Sequence, residues 1–116
     1  MQIKRVTQVI VNLLNNAIKF TKEGTITVST EVKDSNNTVV VSIKDTGQGI
    51  DQEVLPQLFT KFATRSPLHG VQTGTGLGLF ISKSIIQAHG ANIWAENNPD
   101  RKGATFYFTL PLLDKA

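Results

Sequence analysis

The first residues whose types and spacing could do chemistry are asparagines near the amino terminus. Asn12 and Asn16 stand four residues apart in a segment of helical periodicity, and Lys19 extends the same face by about one turn. Side-chain amide oxygens suit a magnesium ion that arrives with its own phosphate charges, whereas a calcium site would use more carboxylates. The alternative is an ordinary solvated helix face, although such a face usually carries Glu, Lys or Gln rather than Asn.

A lone acid followed by glycines is the second candidate group. Asp45 lies an even number of positions from the apolar residues of its strand and so falls on the same face. Its carboxylate is therefore expected to face the core. Gly47 and Gly49 follow, and glycines let a flat group approach the backbone. A carboxylate accepts hydrogen bonds only, so it suits the exocyclic amino group of adenine and repels the carbonyl of guanine. The alternative is a strand-end Asp that caps the following turn.

Residues 73–79 read TGTGLGL and open a second helical segment. Glycines at a helix amino terminus expose backbone N–H groups, and the helix dipole adds partial positive charge, which together make a phosphate cradle. The spacing matches neither the Rossmann fingerprint nor the Walker loop. The alternative is a flexible hinge, although the apolar helix begins among these glycines. Ahead of them, the aromatic pair Phe59 and Phe62 is expected to form a satellite of the core.

Hydrophobic periodicity predicts the elements that position these groups. Helical spacing predicts helices over 3–20 and 77–88, the second stopped by Gly90, and a short amphipathic element over 53–62. Alternation predicts strands over 25–32, 38–45, 91–96 and 104–110; the first two form a hairpin, and the first is half-buried through Ile26, Val28 and Val32. The expected fold is α/β (α+β), a two-layer sandwich with about three helices on one face of a mixed, mostly antiparallel sheet of four to five strands.

Composition limits the class of protein. A chain of 116 residues that is 40% hydrophobic predicts one domain, residues 1–116, with its own core. The absence of cysteine excludes a disulfide scaffold and a thiolate metal site. A net charge of +3 from scattered basic residues argues against nucleic acid as a partner. We also expect neither a membrane-spanning stretch nor a signal peptide.

Four segments together resemble, in order, the nucleotide-binding boxes of the catalytic ATP-binding domain of sensor histidine kinases. They are NLLNNAIKFT from Asn12, DTGQG from Asp45, FTKF from Phe59 and GTGLGL from Gly74, and GATFYFTLP from Gly103 is similar to the closing strand of that family. The similarity covers nearly the whole chain. It implies a Bergerat-type ATP-binding fold, shared with gyrase, heat-shock chaperones and mismatch-repair ATPases.

The resemblance implies ATP and Mg²⁺ as cofactors and gives each matching position a role. Asn12 and Asn16 would hold the metal and, with Lys19 near a phosphate, would form the catalytic set. Phe20 would lie against the base, and Asp45 would bind adenine. Residues 51–75 would form a mobile lid. The other nucleotide-binding residues would be Gly47, Gly49, Ile50, Phe62, Gly74, Thr75, Gly76, Leu77, Gly78, Leu79 and Thr105.

The resemblance also implies a protein histidine kinase of two-component signal transduction. Hydrolytic relatives, and the serine kinases that inactivate sigma factors, carry a Glu that acts as the general base. It stands four residues before the metal-binding Asn, a position that Asn12 occupies in this chain. An amide cannot take a proton from water or serine, whereas imidazole brings its own lone pair. Two alternatives remain open: a non-catalytic nucleotide-responsive module, and a serine protein kinase of the anti-sigma type.

The partners implied by the resemblance lie outside this chain, which looks like a piece of a longer kinase. They are a helical dimerisation domain that carries the phosphoacceptor histidine, and a response regulator. Of the two histidines present, His69 is expected in a solvated loop and His89 at a helix end as a cap. The domain itself is expected to be cytoplasmic without direct membrane contact, and the membrane attachment of the parent protein is left open.

Overall fold

In the described part of the chain, the fold consists of one antiparallel sheet and two α-helices. The computed structural model describes residues 3–60, 77–100 and 102–111. The strands pair in the order β1-β2-β4-β3. Residues of both helices and of the two central strands share one buried core, so the helices cover the same face of the sheet. The elements are α1 (Ile3–Lys19), β1 (Ile26–Lys33), β2 (Thr38–Asp45), α2 (Gly78–Ala88), β3 (Ile93–Asn97) and β4 (Ala104–Pro111).

The two-layer α+β sandwich is confirmed, but the predicted number of helices is wrong. Where an amphipathic element was expected over 53–62, the described part holds a single 3-10 turn, Leu55–Gln57. Pro56 has no backbone N–H to donate, which interrupts the continuous hydrogen bonding that a helix over the whole segment would need. Val54 and Leu58 beside it are nevertheless buried in the core. All strand pairs in the described residues are antiparallel, so the sheet there is not mixed.

Both long helices begin and end close to where periodicity predicts. In α1, Val9, Leu13 and Ala17 recur at helical spacing and are buried. The second helix ends at Ala88, and Gly90 two residues later has a left-handed φ of 72°. There the Ala91 N–H donates to the Ile86 carbonyl at 3.1 Å and the Gly90 N–H to Gln87 at 2.9 Å, which is a Schellman motif. Neither helix of the described ranges is long and apolar enough to cross a membrane.

The edge strand β1 is more exposed than its alternation predicts. Val28 and Val32 pair with Ile43 and Val39 of β2, so they face the helix side of the sheet. Their side chains are nevertheless 51% and 55% exposed. The first helix contacts β2 and the second helix, and the second helix contacts β3 and β4, so neither helix covers this edge. The expectation of a half-buried strand is therefore wrong for β1.

The opposite face of the sheet carries an aromatic pair on its two last strands. Trp94 and Tyr107 are cross-strand partners whose rings stack 5.1 Å apart. Partial burial raises the pKa of the Tyr107 hydroxyl, and the nearby charge of Glu96 adds to the shift. These side chains lie on the face of the sheet away from the helices and from Asp45, and of the residues expected to bind a ligand, Thr105 shares this face.

Candidate functional site

Asp45 ends β2 as a fully buried carboxylate. Its Oδ1 accepts hydrogen bonds from the backbone N–H of Gly47 at 3.0 Å and of Ala104 at 3.2 Å. These bonds offset the cost of removing a carboxylate from water. The expectation that Asp45 faces the core is confirmed, and the turn-capping bond that was its alternative is present in the same side chain. The acid therefore has a fixed position at the end of the sheet.

The carboxyl end of α1 packs directly on the turn that follows Asp45. Gly47 has no room for a side chain, because a Cβ there would overlap the carbonyl oxygen of Phe20. The N–H of Gln48 donates to the same carbonyl at 3.2 Å. Beside this contact, the Thr21 hydroxyl is buried and has no hydrogen-bond partner within the described residues. A buried polar atom of this kind costs about 1–3 kcal/mol unless a water molecule satisfies it.

The far end of the turn is held by a residue that sequence reasoning missed. The Ile50 N–H donates to Asn97 Oδ1 at 2.7 Å, and Asn97 Nδ2 donates to the Ile50 carbonyl at 2.9 Å. Gly49 has a φ of 79°, a left-handed conformation that favours glycine. Asn97 lies 47 positions from Ile50 along the chain, so no local sequence signal could have paired them.

A second asparagine connects Asp45 to the turn between β3 and β4. Buried Asn98 donates from Nδ2 to the carbonyls of Asp45 at 2.9 Å and Lys102 at 2.8 Å. Thr105, which the resemblance places near adenine, is buried and donates its hydroxyl to Asn98 Oδ1 at 2.6 Å. The strand register puts Thr105 on the face of the sheet opposite Asp45. The described geometry thus joins Thr105 to the acid through Asn98 rather than placing it beside the carboxylate.

The asparagine row of α1 meets the first turn of α2. Asn12 Nδ2 donates to the Gly78 carbonyl at 3.3 Å and to the buried Ser82 hydroxyl at 3.2 Å. With its nitrogen engaged in this way, the amide of Asn12 keeps its oxygen as the atom that could coordinate a cation. Asn16 is half-buried on the same side of α1, and Lys19 is exposed.

The structure brings several predicted residues together and leaves others outside its description. Asn12 contacts the start of α2, and Phe20, one turn beyond Asn16, contacts the turn after Asp45; the groups are therefore contiguous along one helix. At the start of α2, Leu77 precedes the first helical residue, and Leu79 packs into the core. Phe62, His69, Gly74, Thr75, Gly76 and most of the predicted lid lie outside the described residues.

Two predicted structural roles are confirmed. Phe59 packs edge-on against Phe106, with ring centroids 6.1 Å apart, as expected for a satellite of the core. His89 follows the last residue of α2, and its Nδ1 bonds to the Ile85 carbonyl at 2.8 Å, as expected for a helix-capping residue. Across the described ranges, no group of three or more His, Cys, Asp or Glu residues could hold a metal ion.

Comparison with known proteins identifies relatives over nearly the whole chain. Residues 1–114 match the family described as histidine kinase-, DNA gyrase B-, and HSP90-like ATPase. Sensor protein KdpD of Clostridium acetobutylicum is 44% identical over 107 residues, which cover 91% of this chain and 12% of that protein. Sensor protein FixL of Bradyrhizobium diazoefficiens is 41% identical over 113 residues, which cover 96% of this chain and 21% of that protein.

A solved structure gives the same relationship in three dimensions. Full-length ShkA in complex with AMPPNP matches with a TM-score of 0.81 and 28% identity, over 97% of this chain and 22% of that one. This chain therefore spans only 12% to 22% of the length of these three similar proteins.

Proposed function

This chain belongs to the histidine kinase-, DNA gyrase B-, and HSP90-like ATPase family, and we propose that it binds Mg·ATP and supplies the catalytic half of histidine autophosphorylation. The γ-phosphate would pass to a histidine on a separate helical dimerisation domain, and then to a response regulator. The observation that carries the proposal is that α1 contacts the start of α2 through Asn12, while Phe20, the residue directly after α1, contacts the turn after Asp45.

The adenine end of the proposed site is the turn after Asp45. A buried carboxylate that only accepts hydrogen bonds would take the exocyclic amino group of adenine, and it would repel the carbonyl that guanine carries instead. Gly47 allows the turn to pack closely on the Phe20 carbonyl, and Gly49 adopts the left-handed backbone conformation beside Asn97. The Thr21 hydroxyl beside this turn has no hydrogen-bond partner among the described residues, and a bridging water would satisfy it.

The phosphate end of the proposed site is the amide row of α1 together with the start of α2. The amide oxygens of Asn12 and Asn16 would hold Mg²⁺, a hard cation that prefers oxygen ligands and neutralises phosphate charge. Lys19 would contact a phosphate as an exposed cation. The hydrogen bonds from Asn12 Nδ2 to Gly78 and Ser82 orient that amide so that its oxygen is the remaining group.

The proposed reaction needs positioning and charge neutralisation more than a base. The imidazole nitrogen of the acceptor histidine would attack the γ-phosphorus with its own lone pair, the bond from the γ-phosphorus to the bridging oxygen would break, and ADP would leave. Asn12 stands where hydrolytic relatives carry a basic Glu, and an amide cannot take a proton from water. This chain would therefore bind and orient the nucleotide, while the acceptor domain would supply the nucleophile.

Two measurements test the proposal. Calorimetric titration should show tighter binding of ATP and ADP than of GTP, and Mg²⁺ should strengthen the binding of ATP. Mixing the chain with labelled ATP and a helical dimerisation domain should then give an acid-labile phosphohistidine. Equal affinity for GTP contradicts the role of Asp45. ATP binding without transfer favours the non-catalytic module, and acid-stable phosphoserine favours the serine kinase.

A further inference from the structure

We infer that Asn97 is a positioning residue for the adenine slot, and this inference rests on the proposed function. Asn97 is the last residue of β3, and its side-chain amide binds both backbone groups of Ile50. Its Oδ1 accepts from the Ile50 N–H at 2.7 Å, and its Nδ2 donates to the Ile50 carbonyl at 2.9 Å. One side chain thus does for Ile50 what a neighbouring strand does in a sheet.

Ile50 depends on this amide because its own side chain is in the core. The residue is 5% exposed, so its backbone is drawn away from bulk water. Buried backbone groups are nearly always hydrogen-bonded, and leaving one unpaired is unfavourable. The preceding residue, Gly49, packs closely against the same amide, because a Cβ at Gly49 would lie only 3.0 Å from Asn97 Oδ1. The backbone at Gly49 and Ile50 is therefore shaped by Asn97.

The slot lies between two anchors that are neighbours at one end of the sheet. Asp45 Oδ1 accepts from the Ala104 N–H at 3.2 Å, and the strand register pairs Ala104 with Asn97. Asp45 fixes the first end of the turn and Asn97 fixes the other, with Gly47 between them. Asn97 therefore sets where the second wall of the slot stands relative to the acid. A slot that is already formed in the free protein binds its ligand more tightly, because no conformational entropy is lost in ordering the loop on binding.

Removing the amide should loosen the adenine end and leave the phosphate end unchanged. Asn97→Leu keeps a side chain of similar size but lacks both hydrogen-bonding groups. We expect its ADP affinity to fall about tenfold, by the same factor with and without Mg²⁺, because the proposed metal ligands lie on α1. The preference for ADP over GDP should narrow. Hydrogen exchange at the Ile50 amide should accelerate, because that N–H loses its acceptor.

The matched control is Asn92→Leu, at an exposed asparagine just before the same strand. This variant should bind ADP as the wild-type chain does. Asn97→Ser, which keeps a short hydroxyl, should show a smaller loss, and it serves as the test should Asn97→Leu fail to fold.

Calorimetric titration with ADP and GDP, alongside amide exchange, separates the outcomes. Weaker ADP binding and faster Ile50 exchange in the Asn97 variants alone support the positioning role. Asn97 variants that bind ADP within twofold of the wild-type affinity overturn it, even if their melting temperature falls, because Asn97 would then be structural only. A wild-type chain that binds no ADP overturns the proposed function, and the inference falls with it.

Discussion

The neighbouring strands β1 and β2 have the same length and an unbroken register, yet β2 is mostly buried or half-buried and β1 is mostly exposed. The register runs from Ile26 opposite Asp45 to Lys33 opposite Thr38. Ile43 on β2 is fully buried, whereas its partner Val28 on β1 is 51% exposed. The difference lies in what covers each strand, since α1 contacts β2 and no helix in the described ranges covers β1. The alternation of apolar residues indicates which face of the sheet a residue is on. Whether that residue is buried depends on whether a helix packs over it.

The same contrast separates the polar groups of the two strands. Asp45 on β2 is fully buried and accepts two backbone hydrogen bonds. On β1, Lys33 and Glu31 form an ion pair at 3.2 Å with side chains 47% and 67% exposed. Charges that water already solvates gain little from each other. We therefore expect polar side chains to have strong effects on binding or stability where the helices cover the sheet, and weak effects at the open edge.

The largest expected effect is the loss of nucleotide binding in Asp45→Asn. The amide keeps an oxygen for the N–H groups of Gly47 and Ala104, but it brings a donor toward the amino group of adenine. We expect affinity for ADP to fall at least about 100-fold, with the fold retained in circular dichroism. Asp34→Asn, at the exposed turn after β1, is the matched control and should bind normally. Retained affinity in Asp45→Asn would reject the adenine assignment.

The two members of one cross-strand pair should differ most in stability. Ile43→Ala leaves a cavity in the core and should lower the free energy of unfolding by about 2–5 kcal/mol. Val28→Ala, at the partner position on β1, should lower it by less than about 1 kcal/mol, because that side chain is already half exposed. Urea unfolding of both variants checks the difference. Equal losses would mean that the edge is covered in solution.

On α1, adjacent asparagines on the covered and open sides should differ in their effect on metal dependence. We expect Asn16→Ala to weaken the Mg²⁺-dependent part of ATP affinity about tenfold, since even indirect supports of a metal site have effects of this size. Stability should not fall through helix propensity, because Ala is the better helix former. Asn15→Ala, at an exposed neighbour, is the control. Calorimetry with and without Mg²⁺ measures both, and an equal loss with and without metal in Asn16→Ala contradicts metal ligation.

The smallest effect is expected at the surface ion pair of β1. Glu31→Gln removes one partner of Lys33 where both side chains are largely solvated. We expect the free energy of unfolding to change by less than about 0.5 kcal/mol. Urea unfolding at low and high salt provides the measurement. A larger, salt-sensitive loss would show that this edge is more enclosed than its exposure indicates.

Local pattern was sufficient for most of the fold, because helices and strands are set by short-range spacing. It predicted α1, the stop of α2 at Gly90, and the core-facing side of Asp45. It failed for the exposure of β1, since spacing carries no information on which helix lies above a strand. It also failed over 53–62, where Pro56 left a single 3-10 turn instead of a helix.

For the candidate site, sequence supplied the residues of each motif but not the supports between them. Asp45, Gly47 and Gly49 could be grouped because they are adjacent in the chain. The bonds from Asn97 to Ile50 and from Asn98 to the Asp45 carbonyl join positions about fifty residues apart. Such pairs exist only once β4 has paired with both β2 and β3, which brings the residues at the ends of β2 and β3 together. Isolated asparagines carry no signal of that role before folding.

The amide row of α1 has a consequence for how the proposed cation site would respond to acidity. Carboxylate ligands are titrated as pH falls, and protons then compete with the metal. The side chains of Asn12 and Asn16 carry no ionisable proton in that range. A cation held by their oxygens would stay bound through mild acidification, apart from whatever the nucleotide's own phosphates contribute. Any pH dependence of metal binding at this end would then come from the phosphates of the nucleotide and not from the side chains of α1.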